Sequence, residues 1–124
     1  MTSLVCVLAG ACAAKAGGPV PPGSAVTRVS LEDAVGAARA DAARRTGVAA
    51  ESLALVSAES VTWSDGSLGC PKPGMSYTQA LVPGYRVRLR GPAGEMDYHA
   101  SARGALVLCP AGRAVDPLPG TSRI

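Results

Sequence analysis

Two alternating segments flanking Gly91-Pro92-Ala93-Gly94 constrain this chain more than anything else in it. In residues 85–90, Tyr85, Val87 and Leu89 alternate with Arg86, Arg88 and Arg90. A period of two is that of a strand with one face buried. Residues 95–100 return as Glu95, Met96, Asp97, Tyr98, His99 and Ala100. A four-residue connection sets Arg90 opposite Glu95, Arg88 opposite Asp97 and Arg86 opposite His99. The same register pairs Leu89 with Met96, Val87 with Tyr98 and Tyr85 with Ala100. Charge and apolarity agree in one register, which predicts a hairpin with its arginines on the polar face.

A hairpin alone is marginal in water and needs further layers. Ser30, with Asp33 three residues on, is a capping-box start, although Glu is the usual partner. Leu31, Ala34, Val35, Ala38 and Ala42 then follow a helical period. Acids open this helix, Arg44-Arg45 end it, and Gly47 is placed to close it. The stripe is mostly alanine, so the helix can lie close against a sheet. Residues 53–63 read as a strand in which Leu53, Leu55, Val61 and Trp63 share one parity. Its polar middle (Ser57, Glu59, Ser60) predicts a bulge. Arg103-Gly104 is a second turn, and 105–109 is the last strand. The expected fold class is α+β, one N-terminal helix on a small antiparallel sheet of about four strands. The order resembles that of cystatin-like and PepSY-like modules, a likeness of fold that carries no function.

The ends read differently. Residues 1–12 hold a short apolar run too brief to span a bilayer, followed by Ala9-Gly10-Ala11-Cys12. This is a degenerate or truncated signal segment, because no Lys or Arg precedes the run and Leu8 lies one place too far upstream for a lipobox. Lipidation at Cys12, ordinary signal cleavage and a structured N-terminus all stay open. Residues 13–28 are a Pro/Gly-rich tether, 29–109 the domain, and 110–124 an irregular tail. If Cys6 leaves with a signal and Cys12 carries lipid, Cys70 and Cys109 remain to pair in an oxidising compartment. The expected location is therefore the cell envelope, lipid-anchored or secreted. Closing that loop restricts the unfolded chain by about 4 kcal/mol on the entropic account. With roughly 85 residues left for a core, such a staple matters.

Residues 64–84 stand apart, a run of about twenty residues, long for so small a domain. Asp65-Gly66 is a turn signal, Gly69 permits a positive φ, and Pro71 and Pro73 stiffen the chain. Residues 76–82, which hold Tyr, Thr and Val, are a candidate short edge strand. The pattern W-x-D-G-S-L-G-C-P-x-P-G-x-x-Y-T-Q-x-x-V-P-G-Y, with a Tyr-His hairpin and a later Cys, resembles a family of uncharacterised exported bacterial proteins and lipoproteins. The resemblance covers residues 31–109. It implies the same small α+β domain and the pairing of Cys70 with Cys109, and it carries no activity.

Several functions fit poorly. A net charge of +3, with 12 Lys and Arg interleaved among 9 Asp and Glu, gives no basic face for nucleic acid. Cys70, Cys109, His99 and Asp65 lack metal-ligand spacing, so no metal or cofactor is expected. The arginine row suits an anionic partner, but its cross-strand acids favour a solvated face. The expected function is a monomeric, non-catalytic extracytoplasmic binding module that meets an unidentified protein or small ligand through its stapled Cys-Pro loop. Asp65, Ser67, Leu68, Lys72, Met75, Tyr77 and Gln79 are the candidate contacts. Protease inhibition is the sharper version, with Lys72, Met75 or Leu68 entering a specificity pocket. The structural alternative is that the loop covers the sheet, with Trp63 and Tyr77 as core. The enzymatic alternative uses Cys70 as nucleophile and His99 as base, although His99 is expected on the polar surface.

Overall fold

The computed structural model describes residues 28–119. The signal or lipobox reading of residues 1–12, lipidation at Cys12 and the tether before Arg28 lie outside the described residues.

Helix α1 spans Leu31–Thr46. Its capping box closes with Asp in place of Glu: Asp33 N–H donates to Ser30 Oγ (3.0 Å), and Ser30 N–H donates to Asp33 Oδ2 (3.2 Å). Gly47 ends the helix at φ 78°, its N–H donating to Ala43 O. After a 3-10 turn at Ala50–Ser52 come β1 (Ala54–Trp63), β2 (Val82–Gly91), β3 (Gly94–Ser101) and β4 (Leu106–Cys109). They form one antiparallel sheet in chain order. The expected α+β arrangement, with one disulfide, is the observed one.

The hairpin has the register read from its alternation, from Tyr85 opposite Ala100 to Arg90 opposite Glu95. Gly91 also pairs with Gly94, so the turn proper is Pro92-Ala93. The extra pair lengthens both strands equally and leaves the register unchanged. In β1 the bulge falls earlier than the polar middle. Leu55 pairs with Leu89 and Ser57 with Arg88, which leaves Val56 as the extra residue. One inserted residue reverses the facing of the rest of the strand. Leu53 therefore lies under the helix, while Val61 and Trp63 point to the opposite side. Among the described residues, 64–81 contain no strand.

Ala34, Ala38 and Ala42 pack on Leu53, Val87, Leu89, Tyr98 and Ala100 to form the first core. The Tyr98 hydroxyl, buried with its ring, donates to Asp41 Oδ2 on the helix (2.8 Å). Arg39 Nη1 donates to Leu53 O (2.8 Å) and Ala50 O (3.2 Å), fixing the helix over the entry to β1. No described helix is long and apolar enough to cross a membrane.

The alanine stripe sets the distance between helix and sheet. Ala38→Leu is expected to overpack this layer and cost about 1–3 kcal/mol in urea unfolding. Ala40→Leu, on the exposed side of α1, is expected to stay within about 0.5 kcal/mol of the wild type.

Candidate functional site

Among the described residues no helix covers the second face of the sheet, and Trp63, the last residue of β1, organises its cover. Its side chain is fully buried, and its indole N–H reaches across β2 to donate to Ala100 O on β3 (2.9 Å). Val61 and Leu68 pack with it, flanked by Val82 and Val107. His99 stacks on the indole, with ring centroids 4.5 Å apart and planes 18° from parallel.

The chain after Trp63 folds into a tight root. Asp65 Oδ1 accepts from Ser67 N–H (2.8 Å) and Ser67 Oγ–H (2.6 Å). These bonds, side chain first and then backbone, hold the Asp65 carboxyl below its ordinary range. Leu68 and Gly69 follow with positive φ values of 57° and 71°. Leu68 has a side chain, so that conformation is strained. Its carbonyl accepts from His99 Nδ1 (2.6 Å), which therefore carries the proton. Gly69 is needed on two counts. A Cβ there would lie 2.5 Å from the Trp63 ring and 2.6 Å from Val115 O, besides facing the positive φ. Cys70 then bonds to Cys109 at the end of β4.

Residues 110–119 contain no helix or strand, yet they are tied to this face. Val115 N–H donates to Gly69 O (2.8 Å), and Leu118 N–H donates to Thr62 O (2.9 Å). Asp116 receives Arg86 Nη1 (3.1 Å). Arg86 also forks onto Asp97, Nε to Oδ1 (3.1 Å) and Nη2 to Oδ2 (2.8 Å). Asp97 thus takes its main partner from the diagonal position and not from Arg88 directly opposite, whose Nε stays 3.9 Å away. His99 Nε2 lies 3.2 Å from Asp97 Oδ1 without the alignment of a hydrogen bond. Burial pushes the Asp97 carboxyl up, but the forked Arg86 guanidinium outweighs it and the group is held far below its ordinary range.

Two expectations need correction. His99 is not a surface histidine: it is 0% exposed, on the polar face of the hairpin but beneath the loop root. The arginine row is not a uniformly solvated face either. Arg86 is 8% exposed, Arg88 is half-buried, and Arg90 at the far end is exposed. In both cases the covering segment comes from elsewhere in the chain, so the alternation within the hairpin holds no trace of it.

The loop residues singled out by sequence divide into two groups. Ser67 and Leu68 are buried in the root, and Asp65 is half-buried with its carboxylate turned to Ser67. Lys72, Met75 and Gln79 are exposed, Met75 by 58%. Tyr77 is half-buried at the neck and is no part of the Trp63 core; its hydroxyl accepts from Lys72 N–H (3.0 Å). Lys72 O accepts from Met75 N–H (3.2 Å), and Gly74 has φ 80°, so the tip is a tight turn braced by Tyr77. The alternative nucleophile is engaged, since the Cys70 sulfur is bonded to Cys109. Among the described residues no three His, Cys, Asp or Glu are grouped to hold a metal ion. Sequence reasoning missed the brace of Arg86, Asp97 and Asp116; the only available signal was an acid in a segment read as an irregular tail.

Gly69→Ala is expected to destabilise the fold by at least about 2 kcal/mol, read from the thermal midpoint, because it combines a clash with a disfavoured φ. Asp97→Asn is expected to cost on the order of 2 kcal/mol near neutral pH, from lost charged hydrogen bonds. The folded state holds Asp97 ionised below its unfolded pKa, so the unfolded chain takes up this proton first on acidification. The stabilisation is present above the ordinary carboxylate range and fades from about pH 5 downward. Urea unfolding at pH 7 and pH 3 checks this: the gap between wild type and variant should narrow at the lower pH.

No curated protein and no solved structure matches the chain. Residues 35–109, from the second turn of α1 to the half-cystine that ends β4, match the family described as Domain of unknown function (DUF8738), and the chain belongs to that family.

Proposed function

We propose that this domain is a non-catalytic extracytoplasmic binding module that reads a protein partner with the outer half of its Cys70 loop, residues 71–81. The observation that carries the reading is the contrast between root and tip. The root is locked by the disulfide, by Gly69 against Trp63 and by His99 on Leu68. The tip projects Lys72, Met75 and Gln79 into solvent on a turn braced by Tyr77. A loop ordered before contact loses little entropy on binding. Met75 supplies a flexible apolar anchor, a side chain that adapts to irregular surfaces. The disulfide is compatible with an oxidising compartment, which agrees with export. The hydrogen bond between Met75 N–H and Lys72 O curls the tip. That shape suits a concave protein surface better than a protease cleft, which takes its ligand extended.

Site-specific photo-crosslinking in the native envelope tests the proposal. A photoreactive residue at position 75 is expected to give a discrete protein adduct, lost on Lys72→Ala with Gln79→Ala. The same residue at position 95, on the far end of the hairpin, is expected to give none. Equal adducts at both positions, or none at 75, would sink it. Titration against serine and cysteine proteases tests the inhibitory version. Inhibition that survives Lys72→Ala with Met75→Ala would assign it to another surface.

A further inference from the structure

Behind the tip, the inner side of the same loop forms one wall of a cleft of about 510 Å³. Its opposite wall is the turn joining β3 to β4. The volume lies within the range of small-molecule pockets, roughly 300–1,000 Å³. Leu68, Val82, Pro83 and Ala102 make the lining apolar, and Leu81, 61% exposed, stands in its wall. Among the described residues, no Asp or Glu lines it. Two arginines do, Arg28 and Arg103. Val29 N–H donates to Ala102 O (2.8 Å), which holds the two chain segments that carry them side by side. The Tyr85 hydroxyl donates to Val29 O and fixes that segment to the sheet.

The two guanidiniums differ from those of the hairpin and helix end. Arg44, Arg45, Arg86 and Arg90 each sit within hydrogen-bonding reach of a carboxylate. Among the described residues, neither Arg28 nor Arg103 has such a partner. We propose that this cleft is a binding site for a monomeric aliphatic carboxylate, its head group held between Arg28 and Arg103 and its tail laid over Leu68, Leu81 and Val82. A carboxylate supplies the charge the two arginines lack and accepts from a guanidinium fork. An apolar tail covers Leu81 and removes the lining from water. A cationic head would meet two like charges. The site shares Thr78 and Leu81 with the outer half of the loop but none of Lys72, Met75 and Gln79, and the inference does not depend on the tip having a partner.

Calorimetric titration of the full chain with dodecanoate, below its micellar concentration and at low salt, provides the test. Saturable one-to-one binding is expected, with little or none for dodecyltrimethylammonium, which has the same tail and the opposite charge. Arg28→Glu with Arg103→Glu is expected to weaken dodecanoate by about tenfold or more. Leu81→Asp, also at an exposed position, is expected to weaken it without altering the thermal midpoint. Amide shifts at Val82 and Ala102 in the wild-type protein are expected to saturate with the same affinity. The proposal is overturned if the full chain shows no saturable binding, or if both amphiphiles bind alike. Dodecanoate affinity unchanged in both variants, or uptake only by anionic lipid vesicles, has the same consequence.

Discussion

A four-stranded sheet has two faces to remove from water, and the described residues supply one α-helix to cover them. The alanine stripe of α1 closes on one face. The other would expose Val61, Trp63 and Val107 if nothing lay over it. The loop root and the segment after Cys109 supply the cover, and both are built around Trp63. Gly69 abuts its ring, Leu68 packs beside it, and Val115 bonds to Gly69 from the outer side. The Cys70–Cys109 bond fastens that cover to the end of β4. Irregular backbone is a poor cover without such fixing, since it brings polar groups that need partners.

Those partners are supplied locally, which explains the polar groups under the loop. His99 offers Nδ1–H to the carbonyl of Leu68, at a residue whose positive φ turns the chain. Arg86 neutralises Asp97 beneath the cover and reaches Asp116 at its rim. A buried pair of this kind is costly to break on one side only, because the charge left behind has no water. The brace ties the tail to the sheet by the same contacts that keep Asp97 ionised.

Rigidity of the root also gives the outer loop and the inner cleft their shapes. The segment between Trp63 and Val82 makes the tip and one wall of the cleft. The tip, held by Tyr77, faces outward, and Leu68 and Leu81 face the cleft. A single device, the stapled cover over Trp63, thus creates a convex and a concave surface side by side.

The helix with its Ser30–Asp33 box, the Gly47 stop, the register of the hairpin and the pairing of Cys70 with Cys109 were legible in the sequence. Each depends on neighbours a few residues apart, on the short hairpin turn, or, for the disulfide, on the expectation that a signal and a lipid take up Cys6 and Cys12. The tip residues Lys72, Met75 and Gln79 were legible as candidates for the same reason, as a polar, Pro/Gly-stiffened run. The division of that loop into a buried root and an open tip was not. Nor were the burial of His99 and Arg86, the position of the β1 bulge at Val56 that turns Trp63 away from the helix, and the placing of Arg28 and Arg103 on one cleft. Alternation along a strand sorts side chains into two faces but does not say which face will be covered. That depended on segments some thirty residues away, His99 to Leu68 and Arg86 to Asp116 among them, and only the tertiary structure brings those together.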